Sequence, residues 1–138
     1  MSEPEAFVRK FSEIWADPEP ERYQELWTED GVLLHPGMEE PLSQHKIADY
    51  VRQLQKVAPD IRLEVARWAA RGDDVLVEWT IRATWQDEEV SWMGVDRFTL
   101  RGDRAVEGVA YFDTLPLWAR IDPSMRRESS LEQLGAAS

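Results

Sequence analysis

The sequence has no cysteine, which excludes disulfides, thiolate metal sites and a cysteine nucleophile. It has no asparagine, so it carries no N-glycosylation sequon. Histidine is limited to His35 and His45, and a histidine-rich metal centre is excluded with it. Basic residues are outnumbered: 16 Lys and Arg stand against 27 Asp and Glu, for a net charge of −11. That surplus repels phosphate backbones and anionic bilayers, so no nucleic acid and no membrane is expected as a partner. No apolar run approaches the roughly 20 residues that cross a bilayer. The acidic start Met1-Ser2-Glu3-Pro4-Glu5 does not read as a signal peptide. A cytoplasmic location is the expectation by elimination. Neither a glycine-rich nucleotide loop, nor a G-x-S-x-G elbow, nor metal-ligand spacing occurs, so no cofactor and no metal is expected.

What is present suits one soluble domain. The chain has 138 residues, 43% hydrophobic and 31% charged, enough to bury a sizeable core. Seven of the fourteen aromatic residues are tryptophan. We place a single domain at 1–122 and a polar C-terminal tail at 123–138, after Asp122-Pro123.

The first part of the chain reads as helical. Ser2 and Glu5 have the form of a capping box, and Phe7, Val8, Phe11, Ile14 and Trp15 share one helical face. Pro18 and Pro20 end that helix. Tyr23, Leu26 and Trp27 mark a short second helix, with Gly31 as its expected stop. Val32 to His35 reads as a short strand before the Pro36-Gly37 turn. Ser43 is a candidate cap for a third helix, with Ile47, Tyr50, Val51, Leu54 and Val57 as its stripe and Pro59 beyond its end.

After Pro59 the apolar period changes from about 3.6 to 2. Strands are expected from Ile61, from Val75 to Trp85, from Val90 to Arg101 and from Ala105 to Asp113. An apolar patch of Leu115, Leu117 and Trp118 follows them. Helices followed by an antiparallel meander make an α+β domain.

One residue breaks the strand pattern. Asp96 has the parity of Trp92, Phe98 and Leu100, on the apolar face, where a carboxylate is costly unless paired or open to a cavity. Burial there would raise its pKa toward the range useful for acid–base work. A symmetric hairpin about Asp87-Glu88 puts Asp96 opposite Trp79. A two-residue loop at Gly102-Asp103 puts Val109 opposite Asp96, Tyr111 opposite Gly94 and Asp113 opposite Trp92. That register gathers Trp79, Trp92, Asp96, Tyr111 and Asp113 on one face. It leaves Leu76, Met93 and Phe112 on the other. Gly94 leaves a gap in the inner face that suits a ligand or the Tyr111 ring.

Several stretches together resemble the nuclear-transport-factor-2-like superfamily, specifically its SnoaL-like polyketide cyclase branch. They are Leu26 to Val32, His35-Pro36-Gly37, Gly72 to Trp79 and, above all, Gly108-Val109-Ala110-Tyr111-Phe112-Asp113. The resemblance spans about Phe7 to Trp118. It implies a cone: a strongly bent antiparallel sheet wrapped around N-terminal helices (a cystatin-like α+β barrel), with a deep, mostly apolar pocket. Such proteins include ketosteroid isomerases, limonene-epoxide-hydrolase-like enzymes, polyketide aldol cyclases and non-catalytic binding modules, so the fold does not fix the function.

The resemblance also suggests roles. Asp113 matches the aspartate that cyclases and epoxide hydrolases of the superfamily use as a base. His35 stands where ketosteroid isomerases carry an Asp-Pro base, and Gly94 or Asp96 falls near their oxyanion acid. Phe11 falls near the isomerase oxyanion-hole tyrosine, but a phenyl ring cannot donate that bond. The epoxide-hydrolase-like arginine two residues before an aspartate is missing, since Gly94 precedes Val95-Asp96.

The expected activity is therefore cofactor-independent acid–base chemistry on a hydrophobic small molecule: isomerisation, aldol-type cyclisation or hydration. Asp113, Asp96, His35 and Tyr111 are the candidate catalytic residues. Phe11, Trp15, Met38, Leu54, Trp79 and Trp92 are the candidate ligand-binding ones. His45 reads as a solvated first-turn helix residue. The alternatives are a ligand-binding protein without chemistry and a dimerisation module of the same fold. A homodimer through the open sheet face is expected.

Overall fold

Ser2 opens the first helix, α1 (Glu3–Ala16), by accepting from the Glu5 amide at 3.2 Å. Glu3 and Glu5 sit in its first turn, where the helix dipole favours acids. Its stripe of Phe7, Val8, Phe11, Ile14 and Trp15 is buried throughout. The structure is a computed structural model and describes residues 1–121 and Gly135. The boundary at 122 and the expected tail, Gly135 apart, lie outside the described residues.

Helix α2 (Pro20–Glu25) is capped by the Glu19 carboxylate, which accepts from the Arg22 amide at 2.9 Å. It ends earlier than the sequence suggests. Leu26 caps it, and strand β1 (Trp27–Leu34) begins at once. Gly31 is therefore no helix stop. A side chain there would press on the carbonyls of Thr28 and Ala105, at 2.9 and 3.1 Å. The glycine permits a bulged close approach to β6, where β1 pairs in parallel: Trp27 with Ala105, then Val32 with Glu107. This long-range pairing overrides the local helical signal.

The short strand β2 (Leu42–Ser43) leads into a 3₁₀ turn, Gln44–Lys46, and then α3 (Ile47–Val57). Ser43 makes no capping bond. Gln24 of α2 does that work across the interface: its Oε1 accepts from the Ala48 amide at 3.0 Å, and its carbonyl from Gln44 Nε2 at 3.1 Å.

The meander follows as β3 (Arg62–Arg71), β4 (Asp74–Trp85), β5 (Glu88–Arg101) and β6 (Arg104–Phe112), and helix α4 spans Leu115–Ile121. Each hairpin has a two-residue loop, closed by the pairs Arg71–Asp74, Trp85–Glu88 and Arg101–Arg104. Gln86 and Asp87 both adopt positive φ, 52° and 63°, as a primed hairpin turn demands. The six strands form one curled, unclosed sheet in the order β2-β1-β6-β5-β4-β3, antiparallel except at β1–β6. The core between sheet and helices is aromatic: Phe98 lies 4.8 Å from Phe7 and 5.4 Å from Phe11, ring centre to centre.

Two register details decide what reaches the concave face. The β4–β5 turn centres one residue earlier than expected, so Asp96 pairs with Val77 and Gly94 with Trp79. A two-residue shift preserves the face, and Asp96, Trp79 and Trp92 all stay inside. Between β5 and β6 the loop at Gly102-Asp103 is as expected, but a bulge follows. Leu100 pairs with Ala105, whereas Thr99 pairs with Glu107. Beyond that point every β6 residue changes face. Ala110 comes opposite Asp96 and Phe112 opposite Gly94. Phe112 turns inward, correcting the outward expectation, and Tyr111 turns outward with 57% exposure.

Candidate functional site

A cavity of about 450 Å³ lies between the concave sheet face and the helices. Its walls come from every layer: Trp15 of α1, Tyr23 of α2, Tyr50 and Leu54 of α3, Trp79 of β4, and Trp92 and Asp96 of β5. A satellite apolar cluster of Ala58, Ile61, Ala83 and Val90 lines the part beyond α3 and the β4–β5 turn. Trp79 can lie against β5 because residue 94 is a glycine. A Cβ there would come within 2.5 Å of the indole ring and 2.8 Å of the Tyr111 carbonyl. The gap expected at Gly94 is thus filled by Trp79, not by Tyr111.

Asp96 is the only buried charged residue among those described, 8% exposed. Burial pushes its carboxyl up to about 7. The Trp79 indole opposes this rise, although its N–H completes no hydrogen bond of normal geometry. Tyr23, buried, and Tyr50, half-buried, lie close enough to this acid to feel its charge. Desolvation first, and the charge of Asp96 second, hold both phenols above their ordinary range. Both are therefore neutral donors over the whole working pH range.

His35 closes another side of the cavity. Its Nδ1 lies 3.1 Å from the Pro36 carbonyl, which can only accept, so in the neutral ring Nδ1 carries the hydrogen. Nε2 is then a bare acceptor, and it is buried without a protein partner. Tyr50 and Phe112 flank the ring at 5.3 and 6.0 Å.

The structure thus brings together six of the ten residues singled out in the sequence: Asp96, His35, Trp15, Leu54, Trp79 and Trp92. The other four fall elsewhere. Asp113 is exposed, and its carboxylate accepts from the Leu115 amide at 2.9 Å, capping α4. Tyr111 lies on the outer sheet face because of the β6 bulge. Phe11 is wholly enclosed among Phe7, Trp15, Tyr23 and Phe98 and reaches no cavity surface. Met38 is half-buried in the turn after β1, its amide donating to the His35 carbonyl at 3.2 Å, outside the cavity lining. Tyr23 and Tyr50 are the polar groups that the sequence reading missed. Both sat on recognised helical stripes, but nothing local shows that two different helices point them at Asp96. Among the described residues no cluster of three His, Asp or Glu side chains is placed to hold a metal ion. No helix among them is long and apolar enough to cross a membrane.

A family model described as a SnoaL-like domain matches residues 8–108. No curated protein sequence matches the chain. Among solved structures, AclR from Streptomyces galilaeus, a proposed hydroxylase, superposes with a TM-score of 0.79 at 21% identity, over 98% of this chain and 90% of that one. TerC, co-crystallised with polyporic acid, gives 0.76 at 20% identity over 88% and 99% of the two chains. IdmH from Streptomyces antibioticus, a proposed polyketide cyclase, gives 0.73 at 18% identity over 86% and 97%. At such identities these likenesses show the fold.

Proposed function

We propose, from the premise that the chain belongs to the SnoaL-like domain family, that its cavity is the active site of a cofactor-independent acid–base enzyme acting on a hydrophobic small molecule. The observation that carries this reading is Asp96, the one carboxyl enclosed in a largely apolar cavity, pushed by burial up to about 7. An acid so placed is populated in both protonation states at neutral pH, the condition under which proton transfer is most effective. In its ionised form it removes a proton next to a ligand carbonyl. Tyr50, held neutral, donates to the oxygen on which charge develops, and His35 Nε2 offers a second acceptor. Asp113, occupied with α4 and exposed, has no part in this scheme. Polyporic acid in TerC supports a small molecule as the occupant of a cavity of this fold.

The reading is tested by incubating the protein with a panel of enolisable aryl ketones in D₂O and following α-deuteration by NMR. Wild type should exchange well above background. Asp96→Asn should lose roughly 10²-fold or more, and Asp113→Asn should retain the rate. Equal rates in wild type and Asp96→Asn would remove the acid from the chemistry and favour a ligand-binding protein without turnover. We also propose a homodimer. Leu76 and Met93 lie on the outer face as expected, with Tyr111 taking the place of Phe112, and all three are exposed.

A further inference from the structure

The cavity lining holds one charged side chain, Asp96, and neither lysine nor arginine. All eight ion pairs found among the described residues join other groups, so an ionised Asp96 meets no counter-charge from the protein there. The walls are aromatic, with Trp15, Tyr23, Tyr50, Trp79, Trp92 and Phe112 surrounding the same space. The indole nitrogens of Trp15, Trp79 and Trp92 are covered by protein, so these rings offer a ligand carbon surface rather than a donor. Ring faces attract cations through their quadrupole. A carboxylate- or phosphate-bearing ligand would instead meet an acid and no cation. At longer range the net charge of −11 draws cations towards the molecule.

We propose that the cavity selects a lipophilic organic cation, a protonated tertiary amine or a quaternary ammonium on an apolar body, seated against the aromatic walls beside Asp96. The inference rests on the cavity being the small-molecule site and adds the charge of its occupant. It also bears on the chemistry. A cation beside Asp96 favours the carboxylate, so binding near pH 7 expels the proton that burial retains and leaves a base facing the ligand. The other titratable groups facing the cavity are Tyr23 from α2, Tyr50 from α3 and His35 from the end of β1. Both phenols stay neutral. The strands flanking Asp96 place Val77 of β4 and Ala110 of β6 opposite it, neither of them titratable.

The test uses the full chain with benzyltrimethylammonium and its uncharged carbon isostere, neopentylbenzene, each followed by tryptophan fluorescence at pH 8 and pH 5.5. The cation should bind about tenfold or more tightly than the isostere at pH 8, and the preference should shrink towards parity at pH 5.5. Calorimetry at pH 7 in two buffers of different ionisation enthalpy should record proton release on cation binding. Asp96→Asn should abolish the preference. Should that variant fail to fold, the wild-type pH dependence and proton release decide alone. Equal affinities at pH 8, or a preference indifferent to pH, would overturn the inference while leaving the cavity as a ligand site. Binding of neither probe would overturn both.

Discussion

At the scale of single residues, an aspartate that titrates near 7 in the folded chain and near 4 in the unfolded one couples folding to pH. Between those values the native state holds a proton that the unfolded state has released. Stability therefore falls as pH rises across this window, by up to about 1.4 kcal/mol per unit. Above about pH 7 the cost is fully present; below about pH 4 it is absent. Asp96→Asn should flatten the dependence between pH 5 and 8 and exceed wild type in unfolding free energy at pH 8, as urea titrations at several pH values would show. The depressed carboxyls of Asp30, Asp60 and Asp103 have the opposite sign, their contribution being lost only as pH falls below the ordinary carboxylate range, outside this window. Asp96 was legible from the sequence because period-2 parity needs only one strand. Its neighbours Tyr23 and Tyr50 were not, since their approach depends on how α2 and α3 pack.

At the scale of elements, one extra residue in β6 decides the site. Alternation placed the four meander strands and the two-residue loop at Gly102-Asp103, but it centred the β4–β5 turn one residue too late. It could not show the irregularity between Thr99 and Leu100 that carries Tyr111 and Asp113 off the inner face and turns Phe112 onto it. The early start of β1 was hidden for a similar reason: Trp27 and Gly31 carry helix-end signals locally and strand contacts only through Ala105 of β6. Two predictions belong here. Asp113→Ala should speed hydrogen exchange at the Leu115 amide, which loses its acceptor, while leaving ketone exchange unchanged. Gly94→Ala should cost roughly 1–3 kcal/mol of stability by denaturant titration, because the new methyl group drives into the Trp79 ring and the Tyr111 carbonyl.

At the scale of the molecule, the acidic surplus separates into two populations. Many carboxylates lie at the surface in turns and ion pairs, such as Lys10 with Asp103, Arg101 with Asp30 and Arg120 with Glu88. Exposed pairs of this kind contribute little to stability. Asp96 stands apart as the one buried charge among the described residues. The outer sheet face carries Leu76, Met93 (72% exposed) and Tyr111. If copies pair through it, light scattering coupled to size exclusion should give a dimer mass, and Met93→Glu should shift it towards the monomer without affecting ligand binding. A monomeric wild type would remove that part of the account.

The central claim, that an enclosed acid in the cavity works at neutral pH, is tested most directly by ¹³C NMR of the Asp96 carboxyl in the intact protein, assigned by its loss in Asp96→Asn. A titration midpoint near 7 is expected. A carboxyl already ionised below pH 5 would contradict it.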